Sequence, residues 1–120
     1  MDKMKYAVEL TETAKLDLAE IFTYIHTTLL DATTARGQVG RIKDTVLSLE
    51  TLPERFTVIP QGVTEERDIR KIMVDNYLIF YQIRPEPPVV YILRILYCHR
   101  NWIALLTGEK QSHFPFSTYK

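Results

Sequence analysis

Four side chains in the second half of the chain have the chemistry needed to act on a phosphodiester. Arg70 and Arg94 stand among apolar residues in segments typical of β-strands, and His99 and Arg100 follow the last of these segments. Imidazole can transfer a proton near pH 7, and a neighbouring guanidinium can stabilise a phosphorane-like charge. These residue types predict His99, Arg100, Arg70 and Arg94 as candidate catalytic residues for cleavage without a metal.

The two strand arginines also have a structural interpretation. An unpaired guanidinium buried among apolar side chains costs roughly several kcal/mol, so each must meet water, a carboxylate or an anion. Either the two arginines line a concave anion site with Lys71 and Arg100, or they pair with acidic residues. The acidic candidates are Asp17, Glu20 and Asp44 on the predicted helices and Asp68 and Asp75 beside the predicted strands. In the same way, His99 has an alternative as an ordinary surface histidine.

Aromatic residues accompany the basic ones on the predicted strands. The tyrosines at positions 77, 81, 91 and 97 fit strand propensity, and one that faces outward beside Arg94 has the shape to stack on a nucleobase. Lys71, Tyr77 and Tyr81 are therefore candidate substrate-binding residues. Trp102 is predicted to belong to the core.

Other classes of site receive little support from the sequence. The three histidines, His26, His99 and His113, are far apart, and Cys98 is the only cysteine, so neither a metal site nor a disulfide is expected. Phosphate-loop and dinucleotide motifs are absent, and no cofactor is expected. No apolar run reaches the roughly 18 residues of a membrane span, and no signal-peptide pattern is present, so the expected location is cytoplasmic, away from membranes.

The charges are balanced overall but divided along the chain. The 120 residues carry 15 basic and 15 acidic side chains. Residues 1–66 hold 7 basic against 11 acidic side chains, whereas residues 67–100 hold 6 against 3. The later segment can therefore present a local basic surface on a neutral molecule.

Periodicity predicts two helices after a first strand. Residues 5–10 alternate as a strand does, and apolar residues spaced by three and four follow from Ala14 to Leu29 and again from Ala32 to Leu49. Thr11 or Thr13 is suited to cap the first helix and Asp31 the second. Gly37 and Gly40 within the second helix predict that a neighbouring backbone approaches closely there.

The second half of the chain predicts a small sheet. Residues 54–67 are expected to form an irregular connection, and strands are expected at 68–74, 77–84 and 89–97, followed by a short helix after Asn101. The resulting order is β-α-α-β-β-β-α, an α+β domain with an antiparallel helix hairpin on a mainly antiparallel sheet. We expect one domain over residues 1–106 and a tail over 107–120.

Two segments together resemble the RelE/ParE superfamily of toxins from bacterial type II toxin–antitoxin modules. These segments are DIRKIMVDNYLIFYQI, residues 68–83, and VVYILRILYCHRNW, residues 89–102. The resemblance lies in an arginine on each of two strands, a turn followed by two tyrosines, and a basic pair before Trp102. It covers roughly residues 5–106.

The resemblance implies a growth-inhibiting toxin that a cognate antitoxin neutralises, with a possible role in plasmid stabilisation. The RelE-like branch cleaves mRNA on the ribosome without a metal, and by position Lys71 and Arg100 stand where those toxins place basic active-site groups. The ParE-like branch inhibits DNA gyrase instead. Leu78 stands where RelE-like toxins commonly carry an arginine, so both activities remain alternatives. A third alternative is an inactive, toxin-like interaction module.

Overall fold

The computed structural model describes residues 5–60, 63 and 68–107, which form an α+β fold. Its elements are β1 (Ala7–Leu10), α1 (Glu12–Thr28), α2 (Ala32–Ser48), β2 (Thr57–Val58), β3 (Ile69–Val74), β4 (Tyr77–Pro85), β5 (Pro88–Tyr97) and α3 (Trp102–Thr107). The sheet order is β1-β5-β4-β3-β2, with β1 parallel to β5 and the other neighbours antiparallel. The predicted order of helices and strands is confirmed, with β2 as an additional short strand. Within the described residues, no helix has the length and apolar character needed to cross a membrane.

Both helices of the hairpin begin at the predicted capping residues. The Thr11 hydroxyl accepts a hydrogen bond from the Ala14 N–H at 3.1 Å, and Asp31 Oδ1 accepts one from the Thr34 N–H at 3.0 Å. The Thr34 hydroxyl and N–H both lower the pKa of Asp31, because they stabilise its charged form. The predicted apolar stripe of α1 fails only at its end, since Leu29 follows the helix and is 58% exposed.

The predicted close approach at the two helix glycines is wrong. A Cβ added at Gly40 would meet nothing within 4 Å, and one added at Gly37 would meet only the Arg41 side chain, at 3.5 Å. Neither glycine is therefore required by packing against another backbone.

The described part of the connection after α2, up to residue 60, contains short regular elements where the sequence predicts an irregular segment. A single 3-10 turn, Pro53–Arg55, leads into β2, which pairs with Arg70 and Lys71 of β3. The first hairpin of the meander has the predicted two-residue turn, with Asp75 in the left-handed region at φ 55°. In the second hairpin, Pro85 and Pro88 form the last pair of the β4–β5 ladder. The prolines therefore end the ladder and are themselves part of it.

Two apolar cores lie on opposite faces of the sheet. The hairpin face packs against α1 and α2, and its buried sheet residues include Ile72, Ile79, Tyr81, Val90 and Ile92. The α3 face carries a smaller core that includes Ile69, Leu78, Phe80 and Leu96, with Trp102, Leu105 and Leu106 of α3 packed against it. Sheet residues therefore reach either the helix hairpin or the surface around α3.

A β-bulge changes which residues of β5 face each core. Phe80 pairs with Arg94 whereas Tyr81 pairs with Ile92, so Leu93 is an extra residue in β5. Ile95 consequently joins Val90 and Ile92 in the core on the hairpin face. The predicted strict alternation, which placed Leu96 on the face of Val90 and Ile92, is therefore wrong beyond Ile92.

Candidate target-contact surface

Arg94 forms an ion pair with an acidic residue of α1, which is one of the two alternatives that the sequence left open. Its Nε donates to Asp17 Oδ2 at 2.8 Å and its Nη2 donates to Asp17 Oδ1 at 2.9 Å. The two side chains are 20% and 6% exposed, respectively. Of the candidate partners, Asp17 is thus the one that the fold brings to Arg94, and the bidentate geometry occupies both carboxylate oxygens.

Arg70 and Tyr81 hold the 3-10 turn against the hairpin face. Arg70 Nη1 donates to the carbonyl oxygens of Glu54 at 2.8 Å and Phe56 at 2.6 Å, and the Tyr81 hydroxyl donates to Pro53 O at 2.6 Å. Burial of Tyr81 raises its pKa to about 12, because the anion would lose its hydration. Both side chains are therefore engaged with the backbone of their own chain.

Lys71 lies on the opposite face, against α3. Its Nζ is 5.0 Å from the centre of the Trp102 ring, and that ring is 5.3 Å from the ring of Phe80. The ammonium group thus rests on an aromatic face, a favourable cation–π arrangement. Trp102 belongs to the core, as predicted, and also brings Lys71 next to the segment that contains His99 and Arg100.

His99 is exposed and contacts the end of β5. Its ring lies 5.2 Å from that of Tyr97 in an edge-to-face arrangement, and Tyr97 lies 5.8 Å from Tyr77 in the same way. Tyr77 is buried in the core of the hairpin face, so the three rings lead from that core to solvent. Arg100 is half-buried, and its backbone N–H donates to Tyr97 O at 3.0 Å in the turn that precedes α3.

The fold therefore divides the predicted site residues among three places. Arg70, Tyr77 and Tyr81 belong to the hairpin face, Arg94 belongs to the ion pair with α1, and the remainder lie around the start of α3. That remainder is Lys71, His99 and Arg100. Among the described residues, no group of three His, Cys, Asp or Glu side chains is arranged to hold a metal ion.

A family model decides the identity of the chain. Residues 8–102 match the model described as the ParE toxin of the type II toxin–antitoxin system, parDE. The chain belongs to this toxin family. No curated protein matches it significantly.

Solved structures with the same fold come from both ParDE and RelE systems. A chain of the chromosomal ParDE system of P. aeruginosa is 19% identical with a TM-score of 0.64, over 78% of this chain and 97% of that one. A variant of the E. coli toxin RelE in the free state is 16% identical with a TM-score of 0.61, over 89% and 98%. A chain of the archaeal RelE–RelB complex from Pyrococcus horikoshii is 20% identical with a TM-score of 0.56, over 81% of this chain and 99% of that one. At these identities the likeness concerns the fold alone.

Two features of this toxin were not apparent from the sequence. Arg84 lies over the ring of Tyr91 at 5.5 Å and donates to Gln82 Oε1 at 2.9 Å, which fixes a guanidinium at the Pro85 end of the sheet. The alternation of Gln82 and Arg84 along β4 was the available signal, since it places both side chains on one face.

A groove of about 410 Å³ also lies along the helix hairpin. Its apolar lining comes from Leu10, Leu18, Phe22 and Val39, together with Ala19 and Thr23, and the ammonium groups of Lys15 and Lys43 flank it. Periodicity could not predict the groove, because the groove depends on how far apart the two helices pack.

Proposed function

We propose that this toxin inhibits growth by binding a cytoplasmic protein target, DNA gyrase, and that a cognate antitoxin neutralises it. The support comes from the dispersal of the predicted catalytic groups. Arg70 Nη1 donates to two backbone carbonyls and Arg94 Nε and Nη2 donate to Asp17, so these arginines are held at places in the fold other than the start of α3, where His99 and Arg100 lie. Inhibition by surface binding needs no such constellation. The match to the ParE family supports this activity and an antitoxin partner.

The proposed contact surface is the region around the start of α3. It combines the exposed His99, the half-buried Arg100, and Lys71 on the ring of Trp102. Aromatic and arginine side chains are the residue types that most often dominate protein interfaces. In this proposal these residues bind the target by charge and shape, and proton transfer by His99 is not required.

A second candidate function is metal-independent cleavage of ribosome-bound mRNA. The observation that favours it is the contact of Lys71 with Trp102, because it brings one predicted basic group next to Arg100. In this version Arg100 and Lys71 neutralise the phosphate and His99 transfers a proton.

Induced expression with two readouts separates the two functions. We expect a DNA-damage response without specific mRNA cleavage, and cleavage without damage would overturn the proposal in favour of the nuclease. Neither response, in a chain that still binds an antitoxin, would identify an inactive interaction module.

Single substitutions test the roles of His99 and Arg100. We expect His99→Ala to weaken growth inhibition without abolishing it, because the contact loses one ring but no proton transfer is lost; His26→Ala on the helix hairpin is the matched control and should leave inhibition unchanged. Arg100→Ala should weaken inhibition, whereas Arg36→Ala on α2 should not. In the nuclease alternative, Arg100→Ala would instead slow mRNA cleavage by about 10²- to 10³-fold, and His99→Ala would also abolish inhibition.

A further inference from the structure

β5, the strand that leads to the proposed contact surface, extends beyond the end of its neighbour β1. β1 pairs with β5 only over residues 89–92, and the start of α1 lies along the edge of β5 beyond that point. The Thr11 N–H donates to Ile92 O at 3.0 Å, and the Thr11 hydroxyl donates to Leu93 O at 3.1 Å. The Ile95 N–H then donates to Asp17 Oδ2 at 2.9 Å. Thr11, which caps α1, and the Asp17 side chain thus replace the missing strand along this edge.

One carboxylate holds the two residues that directly follow the bulge in β5. Asp17 binds the guanidinium of Arg94, the first paired residue after the extra residue Leu93, and the N–H of Ile95, which follows it. Asp17 is only 6% exposed, so its charge depends on these donors for its stabilisation. Because the three hydrogen bonds are charge-assisted, they favour the bulged backbone over a regular one.

Hydrophobicity does not select the bulged register by itself. Without the bulge, Leu96 and Cys98 would face the helix hairpin and Ile95 and Tyr97 would face α3. Both sets are apolar or aromatic, so the difference between the registers is Arg94, which without the bulge would lie opposite Ile79 in the core of the hairpin face. A one-residue slip in a strand exchanges its two faces, and a bulge is one way to fix the choice.

We propose that Asp17 and Arg94 are positioning residues that hold the bulge and thereby aim the segment from Tyr97 to Trp102. With the bulge in place, Tyr97 packs toward the hairpin face and carries His99 with it. Leu96 faces the core under α3, where Trp102 reaches Phe80 and Lys71. The ion pair therefore acts on the contact surface at a distance, through the register of β5. The effect on growth rests on the proposed function, whereas the effect on the register does not.

The substitution Asp17→Asn tests this proposal on the full chain. Trp102 is the only tryptophan, so its fluorescence reports the packing of α3 directly. We expect a red shift of its emission, exchange of the Ile95 amide hydrogen accelerated roughly tenfold, and loss of growth inhibition. The matched control is Asp75→Asn, which also removes a carboxylate bound to an arginine, Arg41, but in the β3–β4 turn, where the neighbouring Asn76 carbonyl keeps its hydrogen bond from the Cys98 N–H. The control should leave Trp102 emission and growth inhibition unchanged.

A double variant keeps the test decisive if Asp17→Asn does not fold. Asp17→Asn combined with Arg94→Met leaves no buried charge without its partner, so the chain has the better prospect of folding. Unchanged Trp102 emission and Ile95 exchange in this variant would overturn the proposal, as would equal changes in Asp75→Asn. If the wild type itself fails to affect gyrase, the proposed function fails, but the two spectroscopic readouts still decide the role of the pair.

Discussion

At the scale of single residues, buried polar groups connect elements that the sequence keeps far apart. Tyr81 is fully buried, and its hydroxyl is the hydrogen-bond partner of Pro53 O, 28 positions earlier. Asp75 at the β3–β4 turn accepts hydrogen bonds from Gln38 and Arg41 of α2, both at 2.8 Å. Such bonds contribute to stability mainly because leaving one partner unsatisfied is costly.

Replacing Tyr81 by Phe should lower the free energy of unfolding by about 1–3 kcal/mol, since Pro53 O would remain buried without a donor. Urea denaturation measures this loss. Tyr91→Phe is the matched control, because the Tyr91 hydroxyl makes no hydrogen bond among the described residues. Equal losses in the two variants would show that the Pro53 bond has no special weight.

The raised pKa of Tyr81 predicts a loss of stability in alkali. Its folded value of about 12 lies above the ordinary value of 10.0, so the contribution is complete below pH 10. As the pH rises from 10 towards 12, the unfolded chain loses this proton first, and unfolding becomes easier. The wild type should therefore lose more stability over this range than Tyr81→Phe does, as measured by urea denaturation at each pH.

Asp75 predicts a loss of stability in acid. The hydrogen bonds from Arg41, and then from Gln38, hold the pKa of Asp75 below its ordinary value of 3.8. The contribution is therefore complete above about pH 4 and disappears as the pH falls through the lower folded pKa. We expect the difference in Tm between the wild type and Asp75→Asn to shrink on acidification. Asn tolerates the left-handed φ of this turn, which isolates the charge. A difference that stays constant down to pH 2 would contradict this origin.

At the scale of elements, α2 contains a glycine, Gly40, whose replacement by alanine should stabilise the helix. Glycine in a helix interior costs roughly 0.5–1 kcal/mol relative to alanine, and no backbone contact requires it at Gly40. Gly40→Ala should therefore raise the free energy of unfolding by that amount in thermal or urea denaturation. Ala35→Gly, at a fully buried position of the same helix, should lower it. A destabilised Gly40→Ala variant would indicate a role for this glycine that the packing does not contain.

At the scale of the whole molecule, the formal charge of zero limits long-range steering. Attraction to a charged target must come from the few groups around the start of α3. We expect the association rate with gyrase to change by less than about tenfold between 50 and 200 mM salt. Stopped-flow or surface-binding kinetics can measure this dependence.

A charge variant is the control for that measurement. Arg36→Glu with Lys15→Glu changes the formal charge from 0 to −4, since each substitution contributes −2, and both sites lie on the helix hairpin. Its association rate should depend more strongly on salt. A hundredfold salt effect in the wild type would mean that many more charges take part than the described surface offers.

The sequence by itself determined the local structure and the family of this protein. The capping residues Thr11 and Asp31, the apolar spacing of α2 and the Asp75 turn each depend on interactions within a few positions, which the order of residues specifies directly. The strand motifs predicted the toxin superfamily for a similar reason, because a motif is itself a local arrangement.

Only the tertiary structure decided how the candidate site residues are used. Several acidic residues were candidate partners for Arg94, and in the fold its partner is Asp17. For Arg70 the sequence predicted a carboxylate or an anion, whereas in the fold it binds two backbone carbonyls. The face of each apolar residue after Ile92 was equally open, because apolar residues occupy both sides of β5 and a bulge exchanges the two sides. The physical reason is that burial demands a partner for a polar group without naming it, and the partner is set by which distant segment packs alongside.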